Sequence, residues 1–225
     1  MKITFLGTGA ADWLNFDAES KNTFFRRNAS ALVDEVLLID PGPCVIDAIT
    51  EYSIDIKKIK YVLNTHRHRD HFNEETLQFL KKNGAQFIEV ENECEFQLGT
   101  YNVQAVRGHH RISTMHYLIS DGKSRLFYGL DGAWLLYDEF QAIKKAYVDF
   151  AVLDGTVGFM EGDYRIFEHN NLNMVIEMKK TLSKYVKRFC ISHMARTLHT
   201  DHKTLENHMA EFGIEVAFDG MEVNF

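Results

Sequence analysis

The stretch NTHRHRDHFN, residues 64–73, crowds His66, His68, Asp70 and His71 into one short segment. Buried singly, such groups cost free energy unless each finds a partner. A divalent cation partners all four, because neutral imidazole and ionised carboxylate are ligands of zinc and its first-row neighbours. The plain alternative is a solvated polar turn in which the interleaved Arg67 and Arg69 face water. The added Asp70-His71, set between a strand-like run and a helix-like one, favours the metal.

A site that takes four residues from one loop needs ligands from elsewhere in the chain. Three segments offer them at the ends of strand-like runs: VRGHHR (His109, His110), YGLDG (Asp131) and CISHM (His193). Strand ends aim side chains rigidly, as a metal site requires. Taken alone, each has an ordinary reading, a hydrogen-bonded or exposed histidine or an Asp-Gly turn. Their arrival in order is the signal.

The elements that must position these groups can be read from periodicity. Strand-like runs lie at 2–6, 30–34, 36–40, 61–65, 86–90 and 102–106, then at 148–153, 187–192 and 214–218. Between these sets, 115–120 and 125–130 read as a hairpin about Asp121-Gly122. Helix-like segments lie near 43–52, 73–82, 135–146, 171–185 and 201–212, with Thr200 or Asp201 as N-cap of the last. Strands and helices alternate in two similar halves, which predicts α/β layers with sheets face to face and helices outside.

Composition sets limits on the partners. A chain of 225 residues, 45% hydrophobic, fits one large domain. A net charge of −7 argues against broad electrostatic capture of nucleic acid or anionic membrane. Cys44, Cys94 and Cys190 form no CxxC pair, so neither a disulfide framework nor a thiolate zinc site is indicated, and a reducing cytoplasm fits. MKITFL is too short for a signal segment, and no apolar stretch has the length of a membrane span.

The order HxHxDH, then His, Asp and His at strand ends, resembles the metallo-β-lactamase superfamily, and MKITFLGTGA looks like its opening strand and loop. The resemblance covers the whole chain and implies an αββα sandwich, a single domain over 1–225, with two metals at one edge of the sheets. Carried over, His66, His68 and a third histidine bind one metal; Asp70, His71 and His193 bind the other; Asp131 bridges them. His110 is favoured as the third, because the family places an aromatic strand residue seven positions later and Tyr117 fits; if the alternation flips, His109 is the ligand. His68 and His71 depart from the HxExD pattern of the di-iron oxygen-reducing members, which favours hydrolysis.

Two further stretches, HNNLN at 169–173 and GIEVAFDGMEV at 213–223, look like the phosphodiesterase that opens phosphoribosyl cyclic phosphate in carbon–phosphorus lyase pathways, a relative of tRNA 3′-processing enzymes. That resemblance puts His169 against the substrate phosphate. HNNLN could alternatively cap a helix through Asn170, a role that can coexist with the first, and Asp219-Gly220 could be the type I′ turn of a terminal hairpin. GTGAAD misses the last glycine of a phosphate cradle and reads as a strand-exit turn. Asp40 and Asp154 are either partners of the ligands or turn residues. His199, His202 and His208 are expected to be exposed, and Arg196 is only a weak phosphate candidate.

Residues 10–29 lack the metal-binding cysteines of that phosphodiesterase, and the long insertion by which tRNA-processing relatives grip tRNA is missing. The expectation is therefore a small phosphodiester or cyclic phosphate opened by metal-bound hydroxide, with Asp70 and His169 catalytic. The cofactors are two divalent ions, zinc by default and manganese as competitor. Expected partners are the phosphate ester, neither membrane nor nucleic acid, and a homodimer as the one assembly entertained. Hydrolysis of an ester, thioester or lactone on the same metals is the alternative. A non-catalytic metal- or ligand-binding module is the second.

Overall fold

The computed structural model describes residues 1–13 and 25–225. Residues 14–24, most of the cysteine-free early loop, lie outside the described residues. The rest gathers into two compact units, Met1–Glu89 with Ala217–Asn224, and Val90–Val216 with Phe225.

In the first unit, strands β1 (Lys2–Gly7), β2 (Ser30–Val33), β3 (Leu37–Ile39), β4 (Tyr61–Leu63) and β5 (Gln86–Ile88) form a mixed sheet. One edge is closed by the strand Glu222–Asn224, antiparallel to β1. β1, β2 and β3 run antiparallel, whereas β3, β4 and β5 run parallel. Parallel neighbours need crossovers, and helices α1 (Val45–Glu51) and α2 (Glu74–Lys82) supply them. Leu38 and Val62 of the sheet pack with Val45, Ile49, Leu77 and Leu80 of the helices. α2 is capped by Asn73, whose side chain accepts the Thr76 N–H at 2.9 Å; its first turn is acidic and its last basic, as the helix dipole favours.

The second unit holds β6 (Cys94–Leu98), β7 (Tyr101–Arg107), β8 (Met115–Ser120), β9 (Arg125–Gly129), β10 (Val148–Asp154), β11 (Val186–Ser192) and β12 (Ile214–Val216). β6 to β9 are an antiparallel meander; β9 to β12 are parallel. Helices α3 (Tyr137–Ala146), α4 (Leu172–Leu182) and α5 (His202–Ala210) make the parallel crossovers, burying Ile143, Val175, Leu182 and Met209 against the sheet. Asp121 shapes the β8–β9 hairpin by accepting the N–H groups of Lys123 and Ser124.

The Glu222–Asn224 strand, the thirteenth (β13), does not pair with β12. A terminal hairpin is thus not formed: β12 pairs β11 and β13 pairs β1. Met221 N–H reaches Phe218 O at 3.0 Å, and of the two central residues only Gly220 has positive φ, the pattern of a type II turn rather than type I′. Among the described residues no helix is long and apolar enough to cross a membrane.

Candidate metal centre

In the first unit the chemistry gathers at the carboxyl ends of β3 and β4, where open parallel sheets leave a crevice for ligands. Asp40 ends β3 in the left-handed region, φ 64°, and its carboxylate is fully buried. One oxygen accepts Asn64 Nδ2 at 2.9 Å and Thr65 N at 2.7 Å; the other lies 2.8 Å from His71 Nδ1. With a carboxylate as acceptor, His71 carries its proton on Nδ1, and its Nε2 faces Asp70 Oδ2 at 3.4 Å. Thr65 Oγ1 donates to Asp40 and sits 3.0 Å from His66 Nδ1, so His66 presents Nε2, 2.9 Å from His68 Nδ1. His66, Asp70 and His71 are buried, while Arg67 and Arg69 are exposed, Arg67 over the Phe72 ring and paired with Glu89, so the exposed-turn reading holds only for the arginines. Gly42 makes the loop possible, because a Cβ there would lie 2.4 Å from Asp70 O.

In the second unit the parallel strands β9, β10 and β11 deliver Asp131, Asp154 and His193. Asp131 and His193 adopt φ 58° and 62° at their strand exits. Asp154, fully buried, accepts the N–H groups of Asp131, Thr156 and Asn170 at 3.1, 3.0 and 3.1 Å, and His169 Nδ1 at 2.9 Å. Thr156 Oγ1 sits 2.7 Å from His193 Nδ1, which leaves Nε2 of that ring 3.2 Å from Asp131 Oδ2. His110 donates through Nδ1 to Glu168 O at 3.1 Å and turns Nε2 toward Asp131 Oδ1, 3.8 Å away. His109 is exposed and bonds Ala133 O instead. One ligand atom from each of Asp131, Asp154, His169 and His193 lies within 4.8 Å of the others.

His169 is in this group, its ring stacked on His193 with centroids 5.4 Å apart. Burial disfavours its charged form, but the Asp154 carboxylate outweighs burial and raises its pKa. Burial likewise opposes ionisation of Asp154, yet His169 and His193 hold it well below the usual carboxylate range. The cap of α4 is Asn171, whose side chain accepts Met174 N–H at 2.8 Å. Asn170, the alternative cap, instead accepts Trp134 N–H through its side-chain oxygen at 2.6 Å, while its backbone N–H donates to Asp154. His208 is exposed, but His199 is half-buried and reaches Gly155 O and Thr156 O through Nε2.

The donor set fits divalent cations. His66, His71, His110 and His193 each have Nδ1 held by a hydroxyl, carboxylate or carbonyl, the arrangement that fixes a metal-binding tautomer and aims Nε2 inward. Within each unit an imidazole nitrogen then faces a carboxylate oxygen, His71 with Asp70 and His193 with Asp131, a repulsive arrangement unless a proton or cation stands between them. Thr65 and Thr156, which orient these rings, were not singled out from sequence; each stands at a strand exit beside a candidate ligand or its partner.

Solved structures identify the fold. A diphosphatase from the PhnP family superposes with a TM-score of 0.74 at 19% identity, covering 100% of this chain and 97% of that one. The metallo-β-lactamase fold protein YhfI from Bacillus subtilis gives 0.76 at 15% identity, with 99% and 98% covered. The short form of human tRNase Z gives 0.69 at 16%, with 100% and 99% covered. The sequence profile of the family described as anti-Pycsar protein Apyc1 matches residues 1–81. No curated protein matches the sequence. The chain has the metallo-β-lactamase fold, the αββα sandwich expected from its sequence, and its His/Asp clusters can hold divalent metal.

Proposed function

We propose that residues 1–225 act as one metallo-β-lactamase-like domain that hydrolyses a small phosphodiester or cyclic phosphate with two divalent cations, zinc by default or manganese. His66, His68 and His110 would hold one cation and Asp70, His71 and His193 the other, with Asp131 shared between them. When bound, the cations lower the pKa of a coordinated water and neutralise charge on the phosphoryl oxygens. Asp70 would orient the attacking water and take its proton. The water oxygen adds to phosphorus, the P–O bond to the leaving group breaks, and His169 donates a hydrogen bond to the phosphoryl oxygen or a proton to the departing alkoxide.

The observation that carries this reading is the state of His169. Asp154 fixes its Nδ1 proton and so aims Nε2 away, and its side chain is 13% exposed against 2% for His193 and 1% for His110. A proton donor at the rim of a metal site suits a charged leaving group. The names of the diphosphatase and tRNase neighbours support a phosphate substrate.

His169→Ala tests it. The expected result is a kcat on bis-p-nitrophenyl phosphate lowered roughly 10- to 1,000-fold with two metals still bound. Unchanged kcat removes His169 from the mechanism, and wild-type turnover of thioesters with none of diesters replaces the reading with acyl hydrolysis.

A further inference from the structure

The side chain of His116 projects from β8 into the interior of the second unit, 1% exposed. Its Nε2 lies 2.9 Å from Leu130 O and its Nδ1 2.6 Å from Glu139 Oε1. A carbonyl only accepts, so Nε2 carries a proton, and another is held between Nδ1 and the carboxylate. Glu139, on α3, is fully buried, and its second oxygen accepts Leu136 N–H at 2.7 Å. Burial disfavours a charged ring, yet the Glu139 carboxylate outweighs it and His116 titrates above its ordinary value.

Three glycines press on this ring. A Cβ on Gly108 would lie 2.5 Å from Nε2, one on Gly132 2.7 Å from Cε1, and one on Gly129 3.2 Å from Nδ1. Their places in the chain matter more than their closeness. Gly108 begins the segment that carries His110, while Leu130 and Gly132 flank Asp131. Ala133 N–H to His109 O, 3.0 Å, joins the same two segments.

We propose that His116 is a positioning residue: an imidazolium clamped between the Glu139 carboxylate and the Leu130 carbonyl, it sets the two backbone segments from which His110 and Asp131 project. This rests on the assignment of those two residues as ligands and deepens it. The competing role is a buried ion pair that stabilises the fold and nothing more, which is a common fate of such pairs.

Two readouts separate the roles. In 15N-labelled metal-free protein at neutral pH, both ring nitrogens of His116 should carry protons; a singly protonated ring overturns the clamp. In Glu139→Gln, zinc affinity measured below the melting temperature against a chelating dye should fall about 10- to 100-fold, the range for loss of a group that orients metal ligands. A merely structural pair would lower the melting temperature and leave the zinc affinity of the folded protein unchanged, which overturns the proposal. Glu139→Asp draws the carboxylate back by one methylene and should bind zinc with intermediate affinity, so the test stands if Glu139→Gln does not fold. Neither readout uses turnover: a wild type that binds zinc yet leaves diesters intact sinks the proposed activity alone, and one that binds no zinc overturns the ligand assignment and this inference with it.

Discussion

The two units organise their candidate ligands around equivalent devices fed in different ways. In each, a fully buried aspartate at the end of a strand accepts hydrogen bonds from backbone N–H, one at Asp40 and several at Asp154, from a threonine hydroxyl and from histidine Nδ1. Asp40 draws its partners from one loop, Asn64, Thr65 and His71. Asp154 draws them from residues as far apart as Asp131 and Asn170. The first arrangement is local and would survive the loss of one contact. The second ties together the exits of several strands, so its centre carries more of the structure.

The largest expected effect follows directly. Asp154→Asn leaves the half-buried His169 and the buried His193 without their carboxylate, and removing one partner of such a group destabilises by about 3–5 kcal/mol. Asp40→Asn should cost less, about 1–3 kcal/mol, because its loop can readjust as a unit. Urea melts of both variants with bound-metal analysis measure this, and a larger loss for Asp40→Asn would invert the comparison.

The threonines sharpen it. Thr156→Val removes a hydroxyl shared by Asp154 and His193; Thr65→Val removes one shared by Asp40 and His66. Each should weaken metal binding about 10- to 100-fold, with Thr156→Val the weaker binder. Zinc titrations rank them, and equal affinities would remove the asymmetry between the units.

The smallest effect separates capping from site. Asn171→Ala should cost about 1 kcal/mol in a thermal melt and leave metal content alone. A variant that loses metal as well as stability would mean that the α4 cap and the His169 segment are not independent.

How much of this was legible depended on sequence distance. His66, His68, Asp70 and His71 announce themselves because one loop holds them all. His110, Asp131 and His193 could be found only by marking strand exits. Asp154 could be read as a partner of the ligands, but which residues it holds was hidden, because Asp131, His169 and Asn170 meet it only once β9, β10 and β11 lie side by side in parallel. β6 escaped periodicity, being mostly exposed and polar in Cys94, Glu95 and Gln97. His116 was invisible for another reason: inside MHYLIS it looks like any cross-strand residue, and only the glycines around it reveal its place. The Asp-Gly at 219–220 marked a turn correctly but not the change of sheet that follows it.

Asp40, Asp131 and His193 all sit at left-handed backbone angles. For a residue with a Cβ that conformation costs roughly 1–2 kcal/mol, and glycine escapes the cost. At Asp131 and His193, then, a change to glycine deletes the proposed ligand and relieves the backbone in the same step. Inactivation there is therefore buffered against misfolding, while any return to activity must climb against the stability of the chain. A lineage that once gave up its chemistry at these two strand exits would gain backbone freedom there and drift, so selection on turnover is what would hold the Asp131 and His193 side chains in place.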